Sequence, residues 1–155
     1  MSQYAVEDVV PHARPMALLD TILEWSDTHL IAEVAILEDS PFTDSEGVPS
    51  WVGIEYMAQT IAAYAGVQAR EHQEPVKIGF LVGSRRYNCN SSYFPIGSKL
   101  QVSINQEVQS ESGLAVFQCC ISGIDQNNKA IEASANLNVF QPNDPESFLS
   151  GESPL

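Results

Sequence analysis

The sequence predicts an α+β domain in which an antiparallel sheet curls around one long helix. Three observations carry that expectation. Residues 53–72 form an alanine-rich helical stretch with almost no polar face, strand-like alternation precedes and follows it, and 155 residues are the length of one domain.

In residues 53–72, GIEYMAQTIAAYAGVQAREH, Ile54, Met57, Ala58, Ile61, Ala62 and Ala65 recur at helical steps with no β-branched run between them. A helix without a wide polar face belongs inside a fold. Ahead of it, the two prolines of Pro11-His12-Ala13-Arg14-Pro15 forbid a regular helix and predict an extended leading segment. Residues 17–25 and 29–37 read as two strands joined by Ser26-Asp27-Thr28, the second alternating Leu30, Ala32, Val34 and Ile36 with Ile31, Glu33 and Ala35. Residues 38–50 are a loop rich in Asp, Ser, Pro and Gly, with Ser50 as a candidate helix N-cap.

Beyond the helix, residues 77–82 predict a short strand, and residues 83–87 lead into an irregular stretch ending at Pro95-Ile96-Gly97. Three strands follow. Leu100, Val102 and Ile104 give one buried face. Residues 114–122 are apolar on both faces, as a central strand requires, and residues 131–139 alternate Ile131, Ala133, Ala135, Leu137 and Val139 with polar partners. Residues 1–140 thus read as a single domain and residues 141–155 as an acidic, proline-bearing flexible tail.

A formal charge of -13 argues against nucleic acid and against an anionic membrane surface, both of which need clustered Lys and Arg. Arg70, Lys77, Arg85, Arg86 and Lys99 nevertheless fall close together in sequence, and they could meet an acidic partner or a phosphate-bearing ligand. No membrane span is expected, because the longest apolar helix carries Glu55, Gln59 and Gln68. The first residues lack a secretory pattern, and the expected compartment is the cytoplasm. Cys89, Cys119 and Cys120 have no metal-ligand spacing, so no metal is expected. The adjacent pair would point to opposite faces of a strand, and the thiols read as buried and reduced.

The polar exceptions on the helix are Glu55 and Gln59, one turn apart. A carboxylate placed there either pairs with something or performs chemistry. His12 is a weaker candidate for acid-base work. His29 and His72 read as structural, Asp44 and Glu46 as a solvated loop, and no Ser-His-Asp arrangement is apparent. Trp51 and Tyr56 flank the helix start, where they either narrow a ligand channel or simply pack.

Residues 41–59, PFTDSEGVPSWVGIEYMAQ, resemble the signature H-F-P-x-x-P-V-x-P-G-x-x-x-x-E-A-x-A-Q of bacterial 3-hydroxyacyl-acyl-carrier-protein dehydratases. Aligning on Glu55 brings Phe42, Pro49, Ala58 and Gln59 into register. Pro11-His12-Ala13-Arg14-Pro15-Met16-Ala17-Leu18-Leu19-Asp20 is similar to the P-H-R-x-P-x-L-L-V-D segment of that family, and Arg86-Tyr87 and Pro95-Ile96-Gly97 to its R-F and P-G-D segments. The stretch G-V-P-x-W-V-G-I-E-Y-M-A-Q at residues 47–59 looks closest to a divergent branch associated with aryl-polyene biosynthesis.

The resemblance implies a hotdog fold, a dimer with sites at the subunit boundary, and removal of water from a 3-hydroxyacyl thioester carried on the phosphopantetheine of an acyl carrier protein, with no other cofactor. It makes Glu55 the catalytic carboxylate and Gln59 its positioning neighbour. It suggests Trp51, Gly53, Tyr56, Arg85 and Arg86 as substrate-binding residues, the arginines meeting the carrier. It also places Pro41 where the family has its loop histidine. A homodimer with a substitute base such as His12, or a heterodimer with a second hotdog dehydratase that supplies the histidine, would meet that departure. A thioesterase using the helix glutamate and a catalytically silent partner subunit are the alternatives.

Overall fold

The computed structural model describes residues 4–10, 17–75 and 80–141, without the side chains of Phe80, Leu81, Val82 and Arg85. The expectations for residues 11–16, for residues 77–79 and for the tail beyond Gln141, and with them His12 and Lys77, lie outside the described residues.

A short helix α1 (Val6–Val9) leads to strands β1 (Thr21–Trp25) and β2 (His29–Ala35). Strand β3 (Gly47–Pro49) and a 3-10 turn (Ser50–Val52) run directly into the long helix α2 (Gly53–Glu71). After it come β4 (Phe80–Cys89), β5 (Tyr93–Pro95), β6 (Lys99–Gln109), β7 (Leu114–Ile124) and β8 (Ala130–Phe140). Six strands form one antiparallel sheet in the order β1-β2-β6-β7-β8-β4, and β3 pairs with β5 in a small separate ladder.

The inward positions follow from the period-two alternation. Leu30, Ala32 and Val34 face Ile104, Val102 and Leu100 across β2 and β6, and Phe117, Cys119 and Ile121 face Leu137, Ala135 and Ala133 across β7 and β8. These residues, with Met57, Ile61, Tyr64 and Val67 from the helix, make one buried cluster. Each large side chain so buried contributes about 1.5–3 kcal/mol against the chain entropy lost. The helix packs on β2, β6, β7 and β8.

Several expectations are corrected. The first strand begins at Thr21 and not at residue 17: Ala17, Leu18 and Leu19 are buried ahead of the β1–β2 ladder, whose register starts at Thr21. Asp20 ends that run: its amide donates to Glu33 O at 2.9 Å and its Oδ2 accepts the Ala35 amide at 2.7 Å. The pieces at residues 80–82 and 83–87 belong to a single strand, β4, which stays paired with β8 through irregularities around Gly83 and Arg86, the latter at φ 56°. Ser50 is not the cap of α2. Val52 holds the N-cap position with helical φ -65° and ψ -19°, and Ser50 starts the preceding 3-10 turn.

Strand β7 is inner in the sheet, but its outward residues are half-buried or exposed, since no second layer covers that face among the described residues. Cys119 and Cys120 do point to opposite faces. Cys119 is buried, Cys89 is half-buried and Cys120 is exposed, so the expectation of buried thiols fails for Cys120.

Candidate active site

The first turn of α2 carries the site. Gln59 is 1% exposed, and its amide is used at both ends. Its Oε1 accepts the Leu18 amide at 2.8 Å, and its Nε2 donates to Glu55 Oε1 at 3.1 Å. Because residues four apart on a helix stack on one face, this bond needs no distortion of the backbone. Gln59 therefore ties the buried run before β1 to the helix and holds a half-buried carboxylate in one orientation. Glu55 also lies in the first helical turn, where the positive end of the helix dipole favours a negative charge.

A second group fixes the helix start. Tyr87, from β4, donates its hydroxyl to Ser50 O, which also accepts the Gly53 amide. Burial raises the Tyr87 phenol well above its ordinary range, with the neighbouring Cys89 adding to the effect, so it remains a donor at any physiological pH. Gly53 permits this approach: a Cβ there would lie 2.3 Å from Tyr87 Oη, 3.1 Å from Ile121 Cδ1 and 3.2 Å from Phe94 Cζ. The Ser50 amide donates in turn to Ser92 O at 2.9 Å, joining the turn to the β3–β5 ladder.

The other residues singled out in the sequence separate. Tyr56 is 2% exposed and packs on Phe94 at a ring separation of 5.9 Å, which makes it a core residue; burial, then the Asp20 carboxylate, raises its phenol strongly. Gly53 is buried against Tyr87, and its open side is already filled by protein. Trp51 is 63% exposed one turn ahead of Glu55 and meets Phe42 edge-to-face at 5.9 Å. Arg86 is exposed on β4, the edge strand, and Arg85 pairs its backbone with Asn136 of β8.

Pro41 stands half-buried in a loop that closes on its own polar groups. Ser40 Oγ accepts the Leu37 amide at 2.8 Å, and Asp44 Oδ1 accepts the amides of Glu46 and Gly47 at 2.8 and 3.3 Å.

Sequence reading marked Tyr87 and Phe42 only as matches to the family pattern; it missed the Tyr87 bond to a residue 37 positions away and the left-handed φ of 67° at Phe42, which no local motif announces. It also missed a serine–histidine–carboxylate chain at the β1–β2 turn. Ser26 Oγ is 2.5 Å from His29 Nδ1, and His29 Nε2 is 3.2 Å from Glu24 Oε2. The same Ser26 oxygen accepts the amides of Thr28 and His29 at 3.2 Å, so the group closes a turn and its hydroxyl is spent on that. His72 caps the far end of α2 through Nδ1 and Gln68 O at 2.8 Å, as a structural residue. Among the described residues no three side chains are grouped to hold a metal ion, and no helix is long and apolar enough to cross a membrane. A cleft at the far end of α2, lined by Tyr64, Gln68, His72 and Gln106, does not include Glu55.

A sheet wrapped on one long helix is the hotdog architecture, and solved structures agree. A Streptococcus pneumoniae hypothetical thioesterase with coenzyme A aligns at TM-score 0.54 and 12% identity over 78% of this chain and 86% of that one. A Streptococcus mutans protein bound to acetyl CoA aligns at TM-score 0.55 and 12% identity, over 77% and 86%. At these identities the likeness concerns the fold alone. A chain of the ApeI:P dehydratase heterocomplex from Xenorhabdus doucetiae aligns much better, at TM-score 0.83 and 30% identity over 98% of this chain and 100% of that chain. Residues 4–150 match the ApeP-like family, described as ApeP dehydratase, and the chain belongs to that family. No curated protein matches the sequence.

Proposed function

We propose that this protein is one subunit of a two-chain dehydratase and that it removes water from a 3-hydroxyacyl thioester borne on the phosphopantetheine of an acyl carrier protein, in aryl-polyene or fatty-acid-like biosynthesis. The observation that carries the reading is the Leu18–Gln59–Glu55 chain of hydrogen bonds at the start of α2. A glutamine buried to 1% exposure and spent on orienting one carboxylate is what a positioned proton carrier requires.

The chemistry needs two proton-handling groups. One removes the α-proton of the acyl chain. The other delivers a proton to the departing 3-hydroxyl, so that the C3–O bond breaks, a C2–C3 double bond forms and water leaves. Glu55 supplies one group. The family's loop histidine would supply the other, but Pro41 holds its place here and can neither accept nor donate a proton. A histidine from a second hotdog subunit completes the pair, and the dehydratase heterocomplex among the similar structures supports such a partner. The positive end of the α2 dipole favours the developing negative charge on the thioester oxygen. Arg85 and Arg86 meet the acidic carrier protein or its phosphopantetheine.

The test is reconstitution. This chain alone should leave a 3-hydroxyacyl carrier-protein substrate intact, and addition of a histidine-bearing hotdog subunit should restore loss of water. Turnover by the isolated chain would mean that a residue of its own, His12 foremost, serves as the second group.

A further inference from the structure

We propose that the cleft at the far end of α2 is a binding site for a short linear diamine, separate from the Glu55 site and independent of the dehydratase reading.

The cleft has a volume of about 310 Å³ and lies between the last turns of α2, the turn that joins β1 to β2, and the distal part of β6. At a rise of about 1.5 Å per residue, Gln68 on its wall stands about 20 Å along α2 from Glu55. A pocket of this size suits a small ligand, held by an apolar lining and a few placed polar groups. The apolar part here is Tyr64 and Phe117, both buried, with rings edge-to-face at 5.7 Å, together with Ala65 and Ala69 of the helix.

The polar part consists of acceptors. Gln68 Nε2 donates to Ser26 O at 2.7 Å, and because a carbonyl can only accept, the amide is fixed in that sense and Gln68 Oε1 remains an acceptor. By the same argument His72 Nδ1 donates to Gln68 O at 2.8 Å, which leaves Nε2 of the neutral ring as an acceptor too. Tyr64 spends its one hydroxyl hydrogen between Asp27 O and Gln106 Oε1, and Gln106 and Gln109 bond to each other at 3.1 Å. Asp27 and Glu74 add two carboxylates to the lining. The Asp27 charge is felt inside the cleft, since after burial it is what raises the Tyr64 phenol. No Lys or Arg is among the described residues that line it.

Acceptors, two negative charges and an apolar floor call for a ligand that is positive, rich in donors and carried on a hydrocarbon stem. An alkylammonium has that chemistry, with three donors and no acceptor on each nitrogen. The two carboxylates come from separate segments, the β1–β2 turn and the chain just past α2, so a diamine offers one ammonium to each. The formal charge of -13 adds attraction at longer range. Residues 142–155 carry Asp144, Glu146 and Glu152 and no Lys or Arg, the wrong sign to fill such a cleft.

Calorimetric titration of the full chain with 1,4-diaminobutane at low salt tests the site. Butane-1,4-diol serves as the uncharged match, and N-acetyl-lysine amide stands in for a lysine of another protein. The diamine should bind saturably at a single site, and the diol at least about tenfold more weakly. Asp27→Asn and Glu74→Gln should each weaken the diamine about two- to fivefold, and less at high salt. Ala65→Leu, checked by circular dichroism for an intact fold, should abolish binding by filling the cleft. Lys77→Ala, which removes the cation two positions beyond Pro75, should leave the affinity within about twofold. Equal affinity for the diol would overturn the site, as would diamine binding that neither charge variant moves, a general attraction to an acidic chain. Binding seen only in Lys77→Ala would make the cleft the seat of the chain's own lysine, and tighter binding of the lysine amide than of the diamine would make it a contact point for a protein; either result would overturn the assignment.

Discussion

Replacing Gly53 with alanine tests how the start of α2 is built. The added Cβ would stand 2.3 Å from Tyr87 Oη, with Ile121 Cδ1 and Phe94 Cζ at 3.1 and 3.2 Å. The phenol is the atom that must move, because it is the one inside contact distance by more than a few tenths of an ångström. Overpacking of this kind costs about 1–3 kcal/mol, and displacement of the Tyr87 hydroxyl from Ser50 O costs a further ~1 kcal/mol. Ser50 O keeps the Gly53 amide as a donor, which holds the second cost low. Alanine's helix propensity returns up to about 1 kcal/mol, so the net loss should be about 1–3 kcal/mol. For a chain of this size that is a fall in Tm of roughly 2–10 °C. Tyr87→Phe alone should cost about 0.5–1.5 kcal/mol. The double variant should lose less than the sum of the singles, because removing the hydroxyl removes the worst clash. Urea unfolding at constant m-value measures all three. A neutral Gly53→Ala, or additive losses in the double variant, would refute the contact.

Other expectations follow from the same geometry. Gln59→Leu removes the only described acceptor of the buried Leu18 amide and should cost about 1–3 kcal/mol in urea unfolding; Gln59→Glu should lose the bond to Glu55 and set two carboxylates one turn apart, so it too should be destabilising. Cys120, exposed, should react with a thiol reagent in the native protein, whereas Cys119, buried and pushed up to about 12 by burial and then by Cys120, should react only after unfolding. Because the folded Cys119 pKa lies above its unfolded value of 9.0, its contribution to stability is whole below about pH 9 and is lost as pH rises toward about 12; the urea midpoint should fall over that window, and less so in Cys119→Ala.

The parts of the fold that alternation governs were legible in the sequence. β6, β7 and β8 bury the residues their period-two pattern marks, and α2 lies where steps of three and four place it. What escaped depends on contacts between distant segments. The three-residue ladder of β3 and β5 contains Pro49 and Pro95, each of which lacks an amide donor and reads locally as a loop. β4 looked broken because its apolar run gives way to Gly83-Ser84-Arg85-Arg86, and only pairing with β8 keeps it one element through the left-handed Arg86. The first strand looked longer than it is because Ala17, Leu18 and Leu19 are apolar for burial, while the Leu18 amide is satisfied by a side chain 41 residues away. At the site, the helical spacing of Glu55 and Gln59 could be read directly, and their hydrogen bond follows from it. The tie from Gln59 to Leu18, the Tyr87 clamp on Ser50 and the Phe42–Trp51 contact are tertiary, and no local pattern encodes them.

The most direct test of the central claim is the Glu55→Gln variant assembled with a histidine-bearing hotdog subunit and supplied with a 3-hydroxyacyl carrier-protein substrate, with mass spectrometry following the loss of one water. The substitution keeps size and shape, so the complex should form and the urea midpoint should hold, while the dehydration rate should fall about 10²–10⁴-fold. Unchanged turnover in that complex would contradict the account: Glu55 would then carry no proton in the reaction, and the chain would serve its partner only as a scaffold.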